Sequence, residues 1–234
     1  MSIKKNLASQ RKKTHTLIIS DLHLGSPVSQ PKKALKLIKS YSFRKLILLG
    51  DVFDNMNFDN LDRDAWVFLN YIGKISKDIK VRWVVGNHDE GLVNIFGTLF
   101  DARTYQIYSW TYNHKKYLAI HGHQYDRFLV DNVFLSYLAT KIYDFIQRID
   151  GKDKKISHFL KRKSKGWLRL SDKVARSALL FAKKQGADYV FCGHTHRALE
   201  KKSHNIHYFN SGCWTDTPCT YITIDDRNVK IHEF

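Results

Sequence analysis

Nothing in this 234-residue chain approaches the ~18 uninterrupted apolar residues that a membrane-spanning helix requires. The opening residues, Met1 to Lys13, are polar and basic, and no apolar signal segment follows them. Cysteine is scarce. Cys192, Cys213 and Cys219 are too few for a disulfide framework, and an odd number fits a reducing compartment. Together these absences predict a cytoplasmic protein. There is no internal repeat, no low-complexity segment and no recognisable nucleic-acid-binding module. Acidic residues are outnumbered: 22 Asp and Glu face 39 Lys and Arg, a formal charge of +17. Such an excess favours a polyanionic partner, whether nucleic acid, an anionic membrane surface or a phosphorylated substrate. An apolar content of 43% excludes wholesale disorder, and the length suits one sizeable domain with room for an insertion.

What is present is a set of short apolar runs, each ending in a cluster of metal-ligand residues. Thr16–Ser20 runs into Asp21-Leu22-His23, and Lys45–Leu49 into Gly50-Asp51-Val52-Phe53-Asp54. Val81–Val85 runs into Gly86-Asn87-His88-Asp89, Tyr117–Ile120 into His121-Gly122-His123, and Tyr189–Cys192 into Gly193-His194-Thr195-His196. Helical segments near Lys32–Ser40 and Asp62–Ser76 separate the early runs, and short strands are expected from His207 to Phe234. Strand–helix alternation of this kind predicts an α/β fold whose strand carboxyl ends converge on one rim, where such sheets bind ligands.

The alternation breaks between Arg127 and Lys184. Apolar residues there recur at helical spacing, first from Phe128 to Ile146 and again from Leu168 to Phe181. We expect residues 1–126 and 185–234 to form the core and 127–184 an inserted helical cap over the site. Its stretch from Lys152 to Trp167 sets Lys161, Arg162, Lys163 and other cations among Phe159, Leu160 and Trp167. That mixture suits an anionic lipid surface.

The clusters supply carboxylates, an amide oxygen and imidazoles, but no thiolate. Hard or borderline divalent cations match that set: Mn²⁺ foremost, with Fe²⁺, Zn²⁺ or Mg²⁺ as alternatives. The ligands are too many for one ion. A pair roughly 3.5–4 Å apart sharing one carboxylate would use them all, and such pairs hydrolyse phosphate esters. Asp21 and His23, two apart in extended backbone, are expected to point to the same side, and likewise His194 and His196. Asp51 follows a glycine in a tight turn, where a carboxylate can bridge. Asp54 is read as orienting a ligand or capping the next helix. His88, with Asp89 holding its orientation, is read as a general acid, and Arg197 as a contact to substrate phosphate.

The ordered set Asp-x-His, Gly-Asp-x-x-Asp, Gly-Asn-His-Asp, His and Gly-His-x-His resembles the calcineurin-like metallophosphoesterases. The resemblance covers the chain apart from the inserted helices. It implies a two-layered β-sandwich flanked by helices and a dinuclear centre. It also implies that Asp21, His23 and His196 hold one metal, that Asn87, His121 and His194 hold the other, and that Asp51 bridges them. His88 would act on the leaving group or a phosphate oxygen. Within that family the segment Ile18–Gly25, the Gly50–Asp54 motif and the helical insertion look most like the UDP-2,3-diacylglucosamine diphosphatases. Those enzymes work in the cytosol at the inner membrane in lipid A synthesis, releasing UMP and a lipid monophosphate. The best-known branch carries Arg where this chain has His88. The expected partner is therefore an anionic, lipid-linked nucleotide at a membrane surface. A phosphodiesterase or nuclease is the alternative, and nucleic acid the less favoured partner.

Overall fold

A computed structural model describes residues 11–92, 100, 102–126 and 165–234 of the protein. Along the chain these form strands β1 (Lys12–Lys13) and β2 (Thr16–Ile19), helix α1 (Pro31–Ser40), strands β3 (Tyr41–Ser42) and β4 (Lys45–Leu49), and helix α2 (Arg63–Ile75). There follow β5 (Lys80–Val84), β6 (Arg103–Tyr105), β7 (Ile107–Tyr112) and β8 (Lys115–Ile120), then helix α3 (Lys165–Lys184). The chain closes with β9 (Tyr189–Cys192), β10 (Leu199–Ser203), β11 (Ile206–Asn210), β12 (Thr220–Ile224) and β13 (Val229–Glu233).

Two sheets result. One has six strands in the order β13-β12-β2-β4-β5-β6, with β2, β4, β5 and β6 parallel. The other has five, in the order β10-β11-β9-β8-β7, and β9 runs parallel to both neighbours. The central strands are buried on both faces, and their side chains divide by the period of two. Ile18, Ile47, Leu49 and Val84 face inward onto Tyr108, Trp110, Tyr117, Phe191 and Phe209 of the second sheet. Their sequence neighbours Leu17, Ile19, Leu46, Leu48 and Trp83 pack outward with α1 and α2. Asp62 caps α2 by accepting from the Ala65 N–H at 2.7 Å, and Pro31 opens α1. The order of layers is helix, sheet, sheet, helix, as expected for the flanked sandwich.

Helix α3 corrects one expectation. Its Val174, Ala175, Ala178, Leu179 and Ala182 pack on Leu118, Ile120, Val190, Cys192 and Tyr208. Residues 165–184 are thus the outer layer of the five-stranded sheet rather than part of a cap. Small apolar residues on one stripe let the helix lie close to the sheet. The remaining cap residues, with Lys161, Arg162 and Lys163, lie outside the described residues. No helix among the described residues is long and apolar enough to cross a membrane.

Candidate metal centre

Each ligand cluster follows the carboxyl end of a central strand: β2, β4, β5, β8 and β9. The turns are not extended. Asp21 (φ 52°), His23 (φ 45°), Asp51 (φ 50°), His194 (φ 65°) and His196 (φ 51°) all adopt the left-handed conformation. This corrects the expectation that alternation along extended backbone aims the pairs. Each such residue costs on the order of 1–2 kcal/mol, so the turns must brace one another. Asp21 N–H donates to Gly50 carbonyl at 3.0 Å, and His23 N–H to Asp51 carbonyl at 3.0 Å. Gly193 N–H donates to His121 carbonyl at 3.0 Å, and His194 N–H to Asp21 Oδ1 at 3.0 Å. The turns also meet too closely for ordinary side chains: a Cβ on Gly86 would overlap the Asp51 carboxylate, and one on Gly50 the His121 ring.

Three groups of ligand atoms converge among the described residues: one is His23, Asp54 and His88, and the other two draw on the expected ligands. In the first of these two, His196 Nε2 lies 3.2 Å from Asp21 Oδ1 and 3.1 Å from His23 Nε2. In the second, Asp51 gathers with His121 and His194. Asp51 Oδ2 faces both groups, 3.2 Å from His121 Nε2 and 3.8 Å from His23 Nε2. Its other oxygen accepts from the His88 N–H at 3.0 Å. Asp21 and Asp51 are essentially buried.

These atoms fit divalent cations. His121 Nδ1 donates to Leu49 carbonyl at 2.9 Å, which turns Nε2 toward the Asp51 carboxylate, the atom whose lone pair a cation would take in place of a proton. That Nε2 is buried without an aligned hydrogen bond, and so is Asn87 Oδ1. Lone pairs set face to face at such spacings suit ligands sharing an ion through roughly 2.0–2.2 Å bonds. The electrostatics agree. Burial acts to raise the Asp51 carboxyl, yet His121, His88 and His23 hold it well below the usual carboxylate range. Burial acts to lower His121, yet the charges of Asp51 and Asp21 push it up to about 10. Two buried carboxylates demand positive charge at this spot.

The surrounding residues redistribute the expected roles. Asp89 does not hold His88. Its buried carboxylate accepts from the backbone N–H groups of Val52, Phe53 and Gly86 and from Trp83 Nε1, so it pins the turns after β4 and β5 together. Burial and then the Asp51 charge raise its carboxyl to about 6. The His88 ring is oriented instead by the Asp54 carbonyl, to which Nδ1 donates. The Asp54 carboxylate lies 3.3 Å from His23 Nδ1 and orients that ring; the cap of α2 falls to Asp62. Asp126, which no motif singled out, is buried with Oδ2 3.2 Å from His194 Nε2. A carboxylate behind an imidazole in this way takes the Nε2 proton, fixes the tautomer and leaves the lone pair on Nδ1. His123 sits between His121, at 5.5 Å between ring centres, and Glu90, at 3.6 Å. Burial and then His121 and His194 lower it to about 4. Trp167, from the first turn of α3, stands perpendicular to the His196 ring, with 6.3 Å between ring centres. Arg197 is half-buried beside His196. The sequence signal for Asp126 would have been a carboxylate five residues beyond a ligand histidine, which is weak.

Comparison with known proteins supports the architecture. The model of the calcineurin-like phosphoesterase family matches residues 14–198. An archaeal phosphodiesterase is similar in structure, with a TM-score of 0.54 at 15% identity, covering 94% of this chain and 99% of the other. The phosphoesterase YfcE of E. coli is similar with a TM-score of 0.52 at 15% identity, covering 92% of this chain and 90% of the other. At that identity both show the fold alone. Comparison with curated proteins finds no match.

Proposed function

Because this chain belongs to the calcineurin-like phosphoesterase family, we propose that it holds two divalent cations, Mn²⁺ foremost, and hydrolyses a phosphate anhydride. The observation that carries this reading is the single oxygen of Asp51 facing an imidazole nitrogen of each group. Asp21, His23 and His196 would hold one ion, and Asn87, His121 and His194 the other. Divalent cations bound there supply a water of lowered pKa and neutralise charge on the transferring phosphoryl group. The chain's own residues do the rest. His88 Nδ1 is committed to the Asp54 carbonyl, so Nε2 is the atom left to give a proton to the leaving oxygen. The guanidinium of Arg197 meets phosphate charge at the rim.

The substrate we infer is UDP-2,3-diacylglucosamine, cut at its pyrophosphate to UMP and a lipid monophosphate in the cytoplasm at the inner membrane. Support comes from the motif segments Ile18–Gly25 and Gly50–Asp54, from the basic balance of the chain, and from Trp167 at the edge of the site. Lys161, Arg162 and Lys163 are proposed to meet the anionic headgroup. The charge of +17 also favours a second reading, a phosphodiesterase or nuclease acting on nucleotides or nucleic acid. A substrate panel with Mn²⁺ separates them: UDP-diacylglucosamine, cyclic nucleotides, single-stranded DNA and a p-nitrophenyl phosphodiester. UMP release should be fastest. Faster cleavage of DNA or a cyclic nucleotide would overturn the substrate while leaving the centre intact, and no hydrolysis of any would overturn both.

A further inference from the structure

We propose that the cavity between β1 and the β12–β13 hairpin binds the diphosphate group of a small soluble ligand. This inference is independent of the metal centre and concerns the opposite end of the sandwich. Asp21 follows the carboxyl end of β2, whereas Ile224 pairs with Thr16 at its amino end, so the turn from β12 to β13 lies away from the ligand clusters. There a cavity of about 500 Å³ is walled by Lys12 and Lys13 of β1 and by Arg227 and Lys230 of the hairpin.

The strand period of two builds this lining. Ile222, Ile224, Val229 and Ile231 turn inward with the second sheet. Thr223, Lys230 and His232 therefore take the opposite face, toward the cavity. Beside them β1 pairs with β3, which sets Lys12 opposite Tyr41 and its Nζ 5.8 Å from the centre of that ring. The buried part of the lining is polar: Thr223 Oγ1 lies 2.7 Å from His232 Nε2. The charge balance selects the ligand. The Lys and Arg ion pairs among the described residues are Lys115–Asp188 and Lys201–Asp172, so none of the four cations has a carboxylate partner there. Asp225 and Asp226 border the same cavity, but both serve the turn. Asp225 Oδ1 accepts from the N–H groups of Arg227 and Asn228 at 2.9 and 3.0 Å, and Asp226 accepts from the Tyr112 hydroxyl. Four cations against two carboxylates leave a local excess of positive charge. His232 registers it: burial and then the charges of Lys12 and Lys230 lower its imidazole. A diphosphate group answers this excess with two or more negative charges, and its oxygens accept from several Lys and Arg donors at once. The volume suits a ligand up to the size of a nucleotide. A nucleic acid strand would need an open basic track, and here exposed Asp226 stands at the border.

The test titrates the full-length protein with methylenediphosphonate, a diphosphate whose bridging carbon resists hydrolysis. The ring resonances of His232, assigned by their loss in His232→Gln, should shift saturably. Replacing Lys12, Lys13, Arg227 and Lys230 together by Gln should weaken the binding read at His232 by at least about tenfold, since one hydrogen bond to a charged group is worth roughly that factor. Replacing Lys32, Arg63, Lys183 and Lys184, exposed elsewhere, removes the same charge and should change it far less. Asp51→Ala should leave it unchanged, which separates this site from the metal centre. The α,β-methylene analogue of ADP distinguishes the source: equal affinity assigns a free diphosphate and tighter binding a nucleotide, and either supports the proposal. Thermal melting verifies that the variants fold. No shift at His232, equal loss in the two charge-matched variants, or a shift produced by duplex DNA and not by the diphosphonate would overturn it.

Discussion

His88 lies against the His23 ring and Asp126 against the His194 imidazole, so under the proposed function their variants should differ. His88→Ala should retain bound metal yet lose turnover by roughly 10²–10⁴-fold, the usual worth of acid–base assistance. A parallel fall in metal content would make His88 a ligand. Asp126→Asn should instead weaken metal affinity by about 10–100-fold, because the imidazole of His194 loses the carboxylate that fixes its tautomer. Calorimetric titration of the metal-free protein reads this directly, and an unchanged affinity would reduce the 3.2 Å contact to packing. Far from the centre, Lys45 is 7% exposed and lies over the Trp110 ring at 4.7 Å and the Tyr108 ring at 5.3 Å. Burial, with Arg82 and Lys80 nearby, lowers its ammonium to about 8. The unfolded chain keeps the proton up to the ordinary lysine range near 10.4. Below pH 8 both states are protonated and the destabilisation is fully present; between about 8 and 10.4 the unfolded state binds more protons, so stability should rise with pH. Lys45→Met should raise the melting temperature at pH 7 and flatten that rise. A lower melting temperature would mean that the two rings outweigh the cost of burial.

The turns after β2, β4, β5, β8 and β9 depend on glycine where neighbouring turns touch. Gly86→Ala removes no ligand, yet its Cβ would displace the Asp51 carboxylate. We expect metal content to fall much as in Asp51→Ala, and full metal with full rate would show the turns to be more yielding than their contacts imply. These elements differ in how far they can be read from sequence. The central strands were legible because residues such as Leu46 to Leu49 are apolar without interruption and end in ligand clusters. Strand β7 was passed over although Tyr108 and Trp110 alternate with exposed Ile107, Ser109 and Thr111, because it leads into no ligand cluster. Strand β10, Leu199–Ser203, is polar because it forms a sheet edge. The identities in the five clusters were legible, but their backbone was not. Left-handed histidines carry no local signal, and they persist only through bonds such as His194 N–H to Asp21. Asp89 was misplaced for a similar reason. Sequence adjacency pointed it at His88, whereas four N–H donors, from the turns after β4 and β5 and from β5 itself, capture its carboxylate.

For the whole molecule, two sheets packed face to face bring the ends of strands from both to one rim, β2, β4 and β5 from one and β8 and β9 from the other. The two ligand groups draw on both sheets, so the centre forms only when the sandwich is assembled. Metal binding should therefore stabilise the folded chain by mass action, and a chelator should lower its melting temperature. Asp51 is the joint of this arrangement, and titration of the metal-free protein with Mn²⁺ tests the claim most directly. The wild-type chain should take up two equivalents, and Asp51→Ala should bind no more than one, and weakly. Two equivalents bound unchanged by the variant, or only one bound by the wild type, would contradict a shared dinuclear centre.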